Sequence, residues 1–540
     1  MTSRLNLAFM RIAKRAESQD DEILSKTFVD FGSVTAALSS LDHHIIFGRR
    51  GTGKTHLLTV LRKEQERDGI VSVHLDMRTI GSAGGIYADT SIPIQQRATR
   101  LLIDVFAAIH GQLFAQAIAS DGLVDLGAIG ACLDQFLAAH LDVKVIGTTT
   151  IETSATAENS FNAEAKVGAS AALTKISMTA EAKIAEGGKE AVAAKKTISG
   201  QEIYRVNFGK VGVPLGKIVS LLPNKRLWIL IDEWSEVPLD LQPMLADLIR
   251  RSVLPIKGVT VKIAAIEQRS RFMLSNPEVG YIGIELGADA STSVNLDDFM
   301  VFDNDEQKAS SFFRTLIYKH AAADLEKAGV KVPDNEAALI AEGFTQSNAF
   351  EEVVRASEGV PRDAINILCV AAQKANDAPI SVGDVRKAAQ DWYLISKDSA
   401  VSTHENAKKL LLWLIDKVIK GRRAKGFLLE SGVRDPLIDY LYDERVLHVL
   451  RKGISAQDWP GKRYTVYGID YGCYVDLIST ANSPKGVLDL GDVQADFAIN
   501  VPHTDLRSIR RCILDLSDFY DKKSVDQEVS PIFLIENLNC

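Results

Sequence analysis

Residues 43–62 constrain the fold more than any other stretch. His43-His44-Ile45-Ile46-Phe47 is a short apolar run that reads as a buried strand. Gly48-Arg49-Arg50-Gly51-Thr52-Gly53-Lys54-Thr55 follows it, and His56 to Arg62 continues with helical periodicity. A GxxxxGK[ST] spacing between a strand and a helix is a phosphate-binding loop. Its glycines let the backbone wrap so that N–H groups point inward at phosphate oxygens. The helix starting near Lys54 adds the positive end of its dipole. Lys54 is placed to reach the β- and γ-phosphates, and the Thr55 hydroxyl to ligate Mg2+. Gly48, Gly51, Thr52, Gly53, Lys54, Thr55 and His56 are therefore the expected contacts to ATP.

A second motif agrees with the first. The apolar run Leu227 to Ile231 ends in Asp232-Glu233. In phosphate-loop ATPases the first acid holds Mg2+ and the second polarises the attacking water, and Asp232 and Glu233 fit those roles. The alternative is a strand that ends in a solvated acidic turn. Val259 to Ile266 reads as the next strand and ends in Glu267-Gln268-Arg269-Ser270-Arg271. A polar residue at that tip would sit beside the γ-phosphate, and spacing does not choose among Glu267, Gln268 and Arg269. Arg269 or Arg271 could instead reach a neighbouring subunit's nucleotide, or be ordinary surface arginines.

Gly359-Val360-Pro361-Arg362 opens a further helical pattern, with Pro361 suited to the first turn. This element resembles the sensor-2 motif of AAA+ ATPases, in particular the initiator clade of origin-recognition and replication-licensing proteins. The phosphate loop, the Asp232-Glu233 strand and the GxPR element stand in that family's order, over residues 28–397. The resemblance implies a helical lid at 306–400, with Arg362 reaching the γ-phosphate from it. It also implies that adenine lies against residues upstream of the loop, where Phe28 and Val29 fit. The expected fold class is α/β: a P-loop NTPase parallel sheet with helices on both faces, a helical lid, and a C-terminal winged-helix or α+β module. By analogy, the resemblance also suggests assembly as a homo-oligomer and a setting in bacterial genome defence.

Asp232 stands 177 positions after Thr55, more than a core ATPase needs, so a segment is inserted. The nucleotide-binding core is placed at 1–305, with an Ala/Thr-rich arm at about 145–202. That arm holds conflicting helix and strand preferences, and reads as protruding hairpins or a helical arm. Residues 401–480 read as helix, helix and a hairpin of 463–467 with 474–478, in the manner of a winged helix. This region has 13 Lys/Arg against 10 Asp/Glu, and its second helix carries Asp439, Asp443 and Glu444. Acids on a groove-entering helix repel phosphates, so DNA contact and protein contact both remain open. Residues 481–540 read as a small α/β cap.

A net charge of −8 excludes a chain that coats nucleic acid by bulk charge. Five scattered cysteines without a CxxC spacing argue against a disulfide framework or structural zinc. The first 22 residues read as a surface helix packed on the first domain, and the longest apolar runs look too short to span a bilayer. Together these point to a cytoplasmic ATP- and Mg2+-dependent ATPase. The resemblance implies that it remodels or loads nucleic acid or a nucleoprotein partner. The alternative is a slow nucleotide switch acting through a protein effector.

Overall fold

The computed structural model describes residues 3–30, 33–80, 87–119, 125–140, 143–146, 201–204, 208–276, 280–297, 306–455, 461–475 and 512–521. A five-stranded parallel sheet forms the centre. Its strands are β1 (His44–Phe47), β2 (Val71–Asp76), β3 (Leu227–Asp232), β4 (Val259–Ala265) and β5 (Ser291–Asn295). They lie in the order β2-β3-β4-β1-β5, and every neighbouring pair is parallel. All six residues of β3 are buried. Buried on both faces, such strands read as continuous apolar runs rather than alternating ones.

The strand period of two divides those residues between two cores. Leu227, Ile229 and Ile231 pack with Leu101, Val105, Leu215, Ile218 and Leu245. Trp228 and Leu230 pack on the opposite side with Leu57, Leu58 and Leu61. Helices therefore cover both faces, as expected. The residues on the second face belong to the helix Lys54–Arg67, which leaves the phosphate loop.

Ile94–Ala119 is long and apolar enough to cross a membrane, which a search for unbroken apolar runs overlooks. One face of it, including Leu101, Phe106 and Ile109, lies in the core beside the sheet. The insertion leaves the core through a two-stranded antiparallel stem, Val143–Ile146 with Gln201–Tyr204. The arm itself, 147–200, lies outside the described residues.

Beyond β5 the chain is helical: Glu306–Lys327, Glu336–Gly343, Ser347–Ala356, Pro361–Ala375 and Val382–Trp392. The helix Arg4–Arg11 packs on these and not on the sheet domain as expected. Its Leu5, Ala8 and Phe9 enter the same apolar core as Phe313, Phe344 and Leu368. Arg4 pairs with Glu342, and Asn6 donates to the carbonyls of Asn376 and Ala378.

That core runs on without a break into the C-terminal module, through Leu410, Leu414, Phe427, Leu441 and Tyr471. The module holds an antiparallel sheet of β6 (Gly426–Glu430), β7 (Leu447–Ser455) and β8 (Arg463–Ile469) in the order β6-β8-β7. The hairpin is thus β7 with β8, not 463–467 with 474–478. Leu447 to Leu450 is the better strand, and the chain turns after β8, where Asp470 accepts from the Gly472 N–H. Of the expected cap, 512–521 is described: Leu428 bridges to Ile513, and Phe519 packs on Trp413.

Candidate functional site

The loop between β1 and the helix Lys54–Arg67 lies at the C-terminal ends of the parallel strands, where α/β sheets place ligands. Gly51 and Gly53 hold φ of +88° and +94°, a left-handed backbone that glycine adopts without a Cβ clash. The Lys54 ammonium lies over its own loop, donating to the carbonyls of Gly48 at 2.8 Å and Arg49 at 3.0 Å. Burial lowers its pKa, and the nearby Glu233 and Asp232 oppose that shift.

β3 delivers the two acids. Asp232 is 1% exposed, and its Oδ1 accepts from the Glu233 N–H at 2.8 Å. Its Oδ2 is buried and has no hydrogen-bond partner. Glu233 turns out of the strand with φ +53°, a strained conformation for a glutamate. That turn aims its side chain into a cavity of about 320 Å3 above the loop. Burial, and then Asp232, raise the Glu233 pKa. A carboxylate raised in this way is a stronger base than a solvated one.

The loop contributes Arg50, Gly51, Gly53, Lys54, Thr55 and His56 to the cavity wall. Across from it stand Pro361, Arg362 and Ile365, at the start of the helix Pro361–Ala375. The Arg362 N–H donates to the Gly51 carbonyl at 3.2 Å. Its guanidinium makes no ion pair among the described residues, and burial, then Arg445, lowers its pKa. Gly48 and Thr52 serve the loop itself: a Cβ on Gly48 would meet Thr52 Oγ1 at 2.6 Å, and Thr52 Oγ1 donates to the Arg49 carbonyl.

Other walls were not legible in the sequence. Ala13 to Glu17 and Gln19 line the cavity, as do Leu24, Leu316 and His320. Phe28 and Val29 do not. Phe28 lies behind His56, ring centres 5.3 Å apart, and Val29 packs against the lid core. His56 Nε2 donates to the Leu24 carbonyl at 2.6 Å. Burial holds His320 at about 4, so the ring is neutral at pH 7, as suits a wall against a flat base. Lys14 and Arg15 add positive charge at the mouth. Arg78 also lines the wall but pairs with Asp76 and Glu17, and Arg50 pairs with Glu236. A run of basic residues between Arg11 and Arg15 was visible in the sequence, but nothing in its spacing tied it to residue 54.

The tip of β4 is engaged elsewhere. Glu267 accepts from Lys452 at 2.7 and 2.6 Å, and Arg269 pairs with Asp443 at 3.0 Å. Neither lines the cavity, nor does Gln268. Both partners belong to the C-terminal module. Arg271 is exposed, and its N–H donates to Gln242 Oε1.

The residues present fit a magnesium ion with a nucleotide. Asp232 Oδ2 is an orphaned buried carboxylate oxygen, and Thr55 lines the cavity wall. Oxygen donors of this kind suit a hard, octahedral cation that keeps water and phosphate ligands. Among the described residues no His, Cys, Asp and Glu cluster of three or more offers a separate metal site.

No protein-family model and no curated protein matches the chain. Among solved structures, the chain is similar to Cdc6p of Pyrobaculum aerophilum at 14% identity and a TM-score of 0.30, covering 84% of this chain and 94% of that one. It is similar to the Orc1 protein of Aeropyrum pernix, solved in complex with DNA, at 12% identity and a TM-score of 0.31, covering 84% and 93%. The RuvB Holliday junction branch migration motor of Thermotoga maritima follows at 13% identity and a TM-score of 0.28, covering 76% and 80%.

Proposed function

We propose that the chain is a Mg2+-dependent ATPase of AAA+ type, in which the nucleotide sits in the cavity over the phosphate loop. One observation carries the reading. Residues from four separated stretches (Lys54 and Thr55, Glu233, Arg362, and the wall of 13–24) meet in one 320 Å3 cavity at the strand ends.

In this reading the loop N–H groups and Lys54 bind the phosphates, while Thr55 and Asp232 hold the Mg2+. The ion would neutralise charge on the transferring phosphoryl group. Glu233 orients and deprotonates the attacking water, and Arg362 meets the γ-phosphate from the lid. Leu24, Ile365, Leu316 and His320 enclose the base in place of Phe28 and Val29. Arg271, exposed and without a salt bridge among the described residues, is the better candidate than Arg269 to reach a second subunit. Four described cysteines are free, in keeping with a reducing, cytoplasmic setting.

The partner is either nucleic acid, remodelled or loaded with each turnover, or a protein effector of a slow switch. One observation favours the switch. The helix Pro436–Asp443, which would have to enter a DNA groove, instead turns Tyr442 and Asp443 onto the ATPase core. Bacterial genome defence suits either partner.

The test is turnover of purified protein, with and without duplex and single-stranded DNA, across a salt series. Lys54→Ala should lose nucleotide binding, and Glu233→Gln should bind ATP without hydrolysing it. Equal hydrolysis by wild type and Glu233→Gln would remove the role given to Glu233. DNA-stimulated turnover that falls with salt would select the nucleic-acid reading. Turnover indifferent to DNA would select the switch.

A further inference from the structure

Arg49 occupies a loop position where the backbone, not the side chain, cradles phosphate. Phosphate binding asks nothing of its guanidinium. Yet Arg49 is 1% exposed and fully engaged. Its Nε donates to Asp297 Oδ1 at 2.9 Å, and its N–H to Asp297 Oδ2 at 2.9 Å. Nη2 donates to the Glu358 carbonyl at 3.4 Å, and Nη1 donates to His448 Nδ1. The guanidinium carbon lies 5.4 Å from the centre of the Tyr442 ring, whose hydroxyl donates to Asp297.

His448 passes the contact on. With Nδ1 accepting from Arg49, its proton belongs on Nε2, which donates to Asp470 Oδ2 at 3.0 Å. Asp470 also accepts from Lys397, and Lys397 pairs with Asp363 at 3.0 Å. Arg445 pairs with the other oxygen of Asp363 at 3.3 Å. Asp363 follows Arg362, whose N–H returns to the loop at Gly51. The circuit therefore begins and ends on the phosphate loop, and passes through β7 and the turn after β8.

Its charges balance: Arg49, Lys397 and Arg445 face Asp297, Asp470 and Asp363, all buried. A buried set of this kind gains little over apolar residues of the same size, but breaking one link strands an unpaired charge. Glu358 and Arg445 hold φ of +48° and +61°, strain maintained only while the packing around them is intact.

We propose that Arg49 is a positioning residue that couples the phosphate loop to the C-terminal module of residues 426–475. A shift of the loop on filling or emptying the phosphate site moves Arg49, and His448, Asp470, Lys397 and Asp363 carry that movement to the module and back to the helix bearing Arg362. This rests on the nucleotide reading given above.

The test is hydrogen exchange on the full chain without nucleotide, with Mg-ADP and with Mg-ATP, for wild type, Lys54→Ala, His448→Leu and His448→Gln. In wild type, exchange at residues 442–450 and 466–473 should differ by at least about fivefold between nucleotide states, the low end of measured site couplings. His448→Leu should bind nucleotide as wild type does and lose the difference in the module. His448→Gln, which keeps an acceptor and a donor, should restore it. A wild-type response in the loop with none in the module would overturn the coupling, as would a His448→Leu response equal to wild type. That wild-type comparison decides the matter even if His448→Leu does not fold. No response anywhere in wild type, matching Lys54→Ala, would overturn the nucleotide reading and this inference together.

Discussion

Gly51 and Gly53 share a left-handed backbone but not a neighbourhood. A Cβ on Gly51 would stand 2.7 Å from Arg362 Cβ, whereas a Cβ on Gly53 would meet nothing within 4 Å. Both alanine variants incur the left-handed strain, about 1–2 kcal/mol. Gly51→Ala alone should also push the lid from the loop, so its loss of ATP affinity should exceed that of Gly53→Ala when both are titrated by calorimetry. His448 makes a second prediction, for pH. Burial, then Arg49, lowers its pKa from 6.5 to about 4, while Asp470 on its other nitrogen is held at about 2 and stays charged. The folded value is depressed, so this contribution is whole above pH 6.5 and is lost as pH falls through about 4. The His448 share of the loss in unfolding free energy, read from urea titrations as the drop in wild type minus the drop in His448→Gln, should therefore be on the order of 3 kcal/mol across that window. His320 titrates in the same range, so the part owed to His448 is the part that His448→Gln removes. Lys54 and Glu233 could be picked from the sequence because each sits in a short motif beside an apolar strand, and Arg362 only through the family resemblance of its GxPR element. Arg49 could not, because its meaning lies in His448, 399 positions away.

At the scale of elements, legibility followed burial. The strands β1, β3 and β4 are apolar runs covered on both faces, and their patterns place them almost to the residue. The hairpin of the C-terminal module was misplaced because Tyr474 and Val475 are apolar for another reason: they pack into the lid core beside Tyr471. The helix Arg4–Arg11 was recognisable as amphipathic, but an apolar stripe does not name the surface it covers. That surface is the lid. Phe9 is fully buried, 6.0 Å from the Phe344 ring, and the absent Cβ of Gly343 lets it approach. Phe9→Ala should lower stability by about 3–5 kcal/mol, as for other buried aromatics. The loss should appear in thermal unfolding of the lid. It should also weaken ATP binding, because residues 13–19, which continue from this helix, form a wall of the cavity.

For the whole molecule, the question is what holds the C-terminal module on the domain of the parallel sheet. Among the described residues two sets of polar contacts do so, and they differ in kind. The inner set, around Arg49 and Asp297, is buried and lies beyond the reach of salt screening. The outer set is Arg269 with Asp443 and Lys452 with Glu267, in which at least one partner of each pair is well exposed. Exposed pairs contribute about 0.2–1 kcal/mol each and weaken with ionic strength. Removing the outer pairs leaves the charges at Arg49 paired, while Arg269→Ala takes this partner from the buried Asp443 carboxylate. Lys452→Ala combined with Arg269→Ala should raise proteolytic cleavage within 426–475 by roughly two- to thirtyfold at low salt, the effect expected from losing two such pairs. High salt should bring wild type most of the way to the double variant and leave the double variant nearly unchanged. Native-state proteolysis across a salt series measures both. If the double variant were cleaved no faster than wild type at low salt, the outer pairs would contribute nothing, and the module would be held by the buried network and by the apolar core it shares with the lid helices. In that case release for a DNA or protein partner would have to begin at the phosphate loop.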